Sequence, residues 1–371
     1  VSNTLKIAAA GVVMSCACAQ AANAQSTVTL YGIVDAGVLY TNNQQGHSSW
    51  QLAGGNESGP RWGLIGSEDL GGGTKANFRL ENGFNVANGA LGQGGRMFGR
   101  QAWVGLSSVN WGALTLGRQY NSTQDVLGTL QMSSYLAQYS THPFDNDDIN
   151  NTFRTNNAVK YVSPTWAGLQ ANLVYGFSNA TGFADDNSWS AGVTYANGPL
   201  NAGAAYARMN RPATSASGAV ASDNYYPSSA SVFGASLAST TRQQTWGAGG
   251  TYALGQATLG LLYTGTNFEM ETGGTLRFNN YEGSVRYMLT PALMAMVGYT
   301  YTQVARGDDD GHYHQVSAGV QYLLSKRTDL YLNGFYQKAS SGIGSAWIDG
   351  TGGPSSTTTQ VAVVAGIRQK F

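Results

Sequence analysis

Charge and cysteine are scarce in this sequence, and long apolar runs are missing. Only 20 Lys and Arg and 20 Asp and Glu occur in 371 residues, less than half the share usual in a soluble domain. The two signs balance, so no cationic surplus is left to neutralise phosphates, which argues against nucleic acid as a partner. The cysteines are Cys16 and Cys18. Both fall in a segment laid out as an export signal. Lys6 is its positive n-region, Ile7 to Ala19 its apolar stretch and Ala22-Asn23-Ala24 a small-residue cleavage site. This predicts a removed signal peptide over 1–24 and a mature domain over 25–371. A lipid attachment at Cys16 is the weaker reading, because the better-matched site lies downstream. With the signal gone no thiol remains, which excludes disulfides, thiolate metal sites and cysteine nucleophiles. No later segment approaches the roughly 18 consecutive apolar residues of a membrane helix.

What the sequence does have is glycine (50), tyrosine (21) and a period of two. Leu169, Ala171, Leu173 and Tyr175 alternate with Gln170, Asn172 and Gly176, and Val316, Ala318, Val320 and Tyr322 with Gln315, Ser317, Gly319 and Gln321, as in strands with one apolar and one polar face. About sixteen such segments run from 27–40 to 359–371, each near the ~10 residues a tilted strand needs to cross a bilayer. A soluble sandwich or barrel would put large aliphatic side chains on its inward face. Here the polar face is small and glycine-rich, and tyrosines gather near strand ends of the apolar face. That suits an all-β transmembrane antiparallel barrel of 16 strands, with water inside and aromatic girdles outside. Short turns (Glu68 to Gly73, Ala196 to Pro199, Ser325 to Thr328) alternate with longer polar connections (Asn42 to Gly59, Asn210 to Thr241, Ser340 to Thr358). The Ala/Ser-rich stretch from Asn210 to Thr241 reads as a solvated loop above the rim.

Seven stretches in order, "TVTLYGIVDAGV", "RWGLIGSEDLGGGTKANFRLENGF", "GRQAWVGLSS", "GALTLGRQY", "NNAVKYVSP", "YLLSKRTDLY" and the terminal "GIRQKF", resemble the trimeric general-diffusion porins of Gram-negative bacteria, especially the beta-proteobacterial branch. The resemblance covers the mature chain. It implies a homotrimer in the outer membrane, in contact with lipid and lipopolysaccharide. Its function would be passive diffusion of small hydrophilic solutes and ions, with no cofactor. Phe371 would belong to the signal read by the outer-membrane assembly machinery, with Gln369 interrupting its face where the family often has His. The resemblance also implies a third external loop, here 121–155, folded into the lumen as a constriction. Length points the same way, since 35 residues between two strands is usually functional. Asp125 to Met132 reads as a short helix within it.

That loop holds three carboxylates in four positions, Asp145, Asp147 and Asp148. As a calcium loop the spacing fails, for it lacks the third oxygen ligand, the glycine and the closing glutamate. Asp308, Asp309 and Asp310 with His312 and His314 form a second cluster, better read as a solvated turn than as a metal site. A hydrolase would need a nucleophile, a base and an orienting group within reach; no G-x-S-x-G elbow occurs, and His312 or His314 with the adjacent aspartates is the remaining enzymatic reading. A substrate-selective channel is the nearer alternative. The pore reading places Asp145, Asp147 and Asp148 in the bore, opposite basic residues on the polar strand faces: Arg61, Arg79 and Arg100. Their alternates Trp62, Leu64, Phe78, Leu80 and Trp103 suit lipid or a subunit contact. Arg118 and Arg154 join them, or else anchor the loop or a neighbouring subunit, and Glu81 shares the face of Arg79 and can neutralise it. By resemblance, Arg61 and Arg100 match basic wall positions of porin constrictions. The chain departs from the family at His142-Pro143-Phe144-Asp145, where many relatives have Pro-Glu-Phe, and at Ile65, where relatives often carry a basic residue.

Overall fold

The computed structural model describes residues 26–371, so the expected signal peptide lies outside the described residues. One antiparallel sheet of seventeen strands closes on itself. β1 (Thr27–Gln44) turns through Gln45 and Gly46, both with positive φ, into β2 (His47–Gly54). Residues 55–60 leave the wall and β3 (Arg61–Gly71) resumes it. β2 pairs with the upper part of β1, from Ala36↔Gly54 to Gln44↔His47, and β3 with its lower part, from Thr27↔Ser67 to Ile33↔Arg61. The two are halves of one wall position, which leaves sixteen positions around the ring. The expected loop from Asn42 to Gly59 is therefore mostly hairpin. It was hidden because strand pairing above the bilayer needs no apolar face.

The wall continues through β4 (Thr74–Gly83), β5 (Gln101–Ser108), β6 (Gly112–Gln119), β7 (Thr155–Val162), β8 (Leu169–Gly176), β9 (Asn187–Asn197) and β10 (Leu200–Asn210). The next connection carries a small ladder of β11 (Ser231–Val232) and β12 (Ala235–Ser236). Then follow β13 (Thr240–Leu254), β14 (Ala257–Met270), β15 (Thr275–Thr290), β16 (Leu293–Arg306), β17 (Asp309–Leu323), β18 (Thr328–Ala339) and β19 (Thr359–Lys370). β19 pairs with β1 from Ile33↔Lys370 to Thr41↔Ala362 and seals the ring. At the seam Phe371 and Gly32 exchange two backbone hydrogen bonds of 3.0 Å. The Phe371 ring lies where a Cβ on Gly32 would stand, 2.3 Å away, so only glycine fits there. Closure matters because lipid offers no partner to an unpaired backbone edge.

Alternation sets the two surfaces. On β14 Leu259 and Leu261 are exposed outward while Leu262, Thr264 and Thr266 are buried; on β18 Leu330, Leu332 and Tyr336 face out and Tyr331, Asn333 and Phe335 in. The wall is uneven in height. β5 to β8 have 8 residues each and β13 to β17 have 14 to 16, about 27 Å against about 50 Å along the strand. Inside the tall half an apolar core fills the bore. Val220, Tyr225, Tyr226, Val232 and Leu237 of the 211–239 connection pack with Phe153 against Phe268, Phe278 and Val304 of the wall. The solvated loop expected over Asn210 to Thr241 is thus a packed one. Its two adjacent tyrosines and scattered aliphatic residues supply the apolar area that its small-residue composition concealed.

Candidate functional site

The 120–154 segment begins in a short helix, α1 (Ser122–Leu127). The Asn121 side chain accepts from the Gln124 backbone N–H (3.0 Å), and the Gln124 side chain accepts in return from the Asn121 N–H (3.1 Å). This capping box starts the helix three residues ahead of the expected Asp125. The segment then crosses to the tall wall. Glu282 of β15 accepts from the Met132 N–H (2.6 Å), and Gln315 of β17 donates to the Tyr139 carbonyl (2.8 Å). The Tyr139 hydroxyl donates to Asn56 (2.6 Å), in the short segment that leaves the wall between β2 and β3.

The three aspartates lie where this crossing meets the packed half, and all are buried. Asp145 and Asp148 adopt positive φ, which aspartate tolerates better than most residues. Asp145 accepts from the Asn150 N–H, the Thr152 N–H and the Thr152 hydroxyl, each at 2.9 Å. Asp148 accepts from the Phe153 N–H (3.0 Å) and the Gln124 amide (2.8 Å). Asp147 reaches the wall, accepting from the Thr264 hydroxyl (2.5 Å), and pairs with His142 Nδ1 (2.7 Å). The other His142 nitrogen lies 3.4 Å from Glu282. Burial disfavours the His142 imidazolium, but Asp147 and Glu282 outweigh it and hold its pKa up, at about 10. Burial likewise raises Asp147, yet His142 dominates and keeps it below the usual carboxylate range. Burial and the nearby Asp147 push Asp145 up. The expectation that these acids face the solute is corrected here: backbone and side-chain donors of the loop hold Asp145 and Asp148, His142 and Thr264 hold one oxygen of Asp147, and none lines either cavity described next.

Two cavities lie between this segment and the opposite side of the barrel. One of about 400 Å³ is lined by Arg61, Arg100, Arg154 and Glu57, together with amide and hydroxyl groups such as Gln131, Ser133 and Asn150. The other, of about 600 Å³, is lined by Arg79, Trp103, Thr115, Tyr120, Asp125 and Lys160. Gly128 and Asn151 border both, so they are consecutive parts of one path. Five cationic side chains thus meet two carboxylates. Asp125 is ion-paired with Lys160. Arg61 donates to the Gly59 carbonyl (2.9 Å), and Arg154 lies 5.3 Å from the Tyr120 ring centre.

Not every wall expectation holds. Glu81 accepts from Arg100 Nε (2.8 Å) and the Tyr31 hydroxyl (2.6 Å), so it braces Arg100, while Arg79 lies over the Tyr31 ring. Arg118 is turned away from the path, donating to the Gly99 carbonyl (2.8 Å) and to Asn156; it shares the parity of the outward Leu114 and Leu116, while Ala113, Thr115 and Gln119 line the cavity. Trp103 faces the bore, donating to Gln101 (3.0 Å). Arg100 lies just ahead of β5, outside its alternation, so both it and Trp103 point inward. His312 and His314 pack tilted against Tyr301, and among the described residues the only histidine paired with a carboxylate is His142. Sequence reasoning missed Glu57, which fell inside the expected outer loop, and the His142 to Glu282 link, which joins residues 140 positions apart.

Comparison with known proteins bears on this interior. A profile described as Gram-negative porin matches residues 8–342. The chain is 33% identical to an outer membrane porin protein of Bordetella pertussis over 86% of its length and 91% of the relative's. It is also 33% identical to outer membrane porin protein 32 of Delftia acidovorans, over 95% and 96%. Among solved structures it is similar to an anion-selective porin from Comamonas acidovorans, with TM-score 0.75, 27% identity and coverage of 94% and 100%. The trimer form of OmpT, an outer membrane protein of Vibrio cholerae, shares the fold at TM-score 0.69 and 15% identity, over 93% and 99%.

Proposed function

The chain belongs to the Gram-negative porin family, and from that premise we propose that its channel favours small anions. It is a multi-pass outer-membrane porin whose water-filled barrel passes small hydrophilic solutes and ions by passive diffusion. The observation that carries the anion preference is the one-sided lining of the narrow path. Arg61, Arg100 and Arg154 border a single cavity, while Asp145, Asp147 and Asp148 are buried away from it in hydrogen bonds within the loop and to the wall. In this reading 121–155 is the constriction loop, and Arg79 extends the positive potential along the next part of the path, where Lys160 is paired with Asp125. A low-dielectric wall focuses such a field on the water between. The Comamonas structure, itself described as anion-selective, supports the sign. The test is the reversal potential of single channels in a potassium chloride gradient. A potential of the chloride-selective sign is expected; a cation-selective one would overturn the proposal.

The outer surface supports a homotrimer. β2 to β6 contain no tyrosine at all, and Leu52, Val104, Leu106, Leu114 and Leu116 are exposed there. On β13 to β18 Tyr252, Tyr263, Tyr281, Tyr299, Tyr322 and Tyr336 face out. Tyrosine belts suit a lipid boundary, so the tyrosine-free side is the one that meets other copies, and the belted side meets lipid and lipopolysaccharide. Replacing Leu114 and Leu116 with Asp is expected to yield monomers by native mass measurement. Phe371, closing the seam on Gly32, serves as the assembly signal; its loss is expected to lower the yield of folded barrel.

A further inference from the structure

Residues 55–60 are the part of the wall strand that bends into the bore, and they are held there from several sides. Asp35 accepts from the Glu57 and Ser58 N–H groups, both at 2.7 Å. Asn56 donates to the Tyr331 hydroxyl (2.8 Å), and Arg368 donates to Ser58 (2.8 Å). The segment therefore keeps its place whatever the charge of its one acid. Glu57 accepts from Asn333 (2.6 Å) through one carboxyl oxygen. Its other oxygen is buried without a partner among the described residues. The residue borders the cavity of Arg61, Arg100 and Arg154, and among the described residues it is the only carboxylate to do so.

We propose that Glu57 is a specificity-determining residue of this channel: its ionised carboxylate offsets part of the arginine field, and its protonation strengthens anion preference. The proposal rests on the arginine-lined reading above. Facing Glu57 are Asp35 from β1, Arg61 from β3, Arg100 ahead of β5, Arg154 at the loop's end, Asp329 from β18, and Arg368 and Lys370 from β19. Asp329 is neutralised by Arg368 at 3.1 Å. Burial pushes the Glu57 carboxyl up, to about 7, against the pull of Arg368 and Asn333. A folded value above the ordinary 4.5 places the change of charge between about pH 6 and 8, with the neutral form below.

The experiment measures reversal potentials of wild type, E57Q and N333A channels in a potassium chloride gradient from pH 5 to 9. In wild type the chloride-to-potassium permeability ratio is expected to rise about two- to fivefold as pH falls through 7, the scale of one unit charge beside an aqueous path. E57Q is expected to hold the acid value at every pH. N333A keeps the charge but loses a hydrogen bond to the ionised form, so its midpoint is expected to move to higher pH. A pH-independent, anion-selective wild type overturns the role of Glu57 and leaves the arginine reading standing. So does an E57Q channel that still responds to pH. A wild type without anion preference at any pH overturns the arginine reading itself, and this proposal with it.

Discussion

The two halves of the bore treat charge in opposite ways. In the tall half, loop and wall pack into an apolar core, and the three aspartates beside it are buried and held by protein donors, Asp147 through one of its two oxygens. In the short half, Arg61, Arg100 and Arg154 border open space and retain donors that no protein group takes up. A carboxylate is short and only accepts, so a curl of backbone can occupy both its oxygens. A guanidinium has five donors on a long stem, and a lining with one carboxylate for three arginines leaves some of them to water or solute. The same loop thus carries Asp145, Asp147 and Asp148 on the sealed side and Arg154 on the open one.

Removing the open half's charge is the sharpest test of this contrast. R61Q/R100Q/R154Q is expected to lower the chloride-to-potassium permeability ratio by about tenfold, the lower end of what charge focusing does to local ion concentration; reversal potentials report it. Breaking the sealed half acts on stability instead. H142A leaves Asp147 and Glu282 buried beside each other, and is expected to cost about 3–5 kcal/mol, read as a lower melting temperature and proteolysis within 140–153. E81Q weakens the brace on Arg100 and is expected to cost about 1–3 kcal/mol, read in the same melts. Alkali should act on the histidine link. A His pKa raised above its ordinary 6.5 stabilises the fold fully below that value, and the contribution is lost as pH rises through about 10. Amide exchange in 140–153 is therefore expected to quicken between about pH 9 and 11, and H142A to remove the transition. The smallest effect belongs to D145N. It is expected to leave the reversal potential unchanged while loosening the turn that ends at Thr152. A shift toward anions would return Asp145 to the path.

Most of the wall can be read from residue order, because a two-faced strand writes its period directly into the chain. Boundaries slipped where that reason lapses. The β1–β2 hairpin, with Asn42, Asn43 and Gln44, needs no lipid face, and the ends of β14 to β17 run past the bilayer in mixed residues. Arg61 and Arg100 were identifiable as wall arginines. Arg118 shares the parity of the outward Leu114 and Leu116, so strict alternation on β6 would have kept it out of the bore. Trp103 misled, since its bulk suggested lipid while its indole N–H found Gln101 inside.

By itself, then, the order of residues determined a closed membrane barrel of sixteen wall positions and a long connection with acids at its far end. Those properties depend on neighbours one, two or a few residues apart. Only the tertiary structure decided which charges meet water. Asp147 is answered by Thr264, Glu57 by Asn333 and His142 by Glu282, partners more than a hundred residues away in sequence that only the curvature of the barrel brings into contact. A charge in a bore acts according to what already surrounds it, and that is a property of the folded ring.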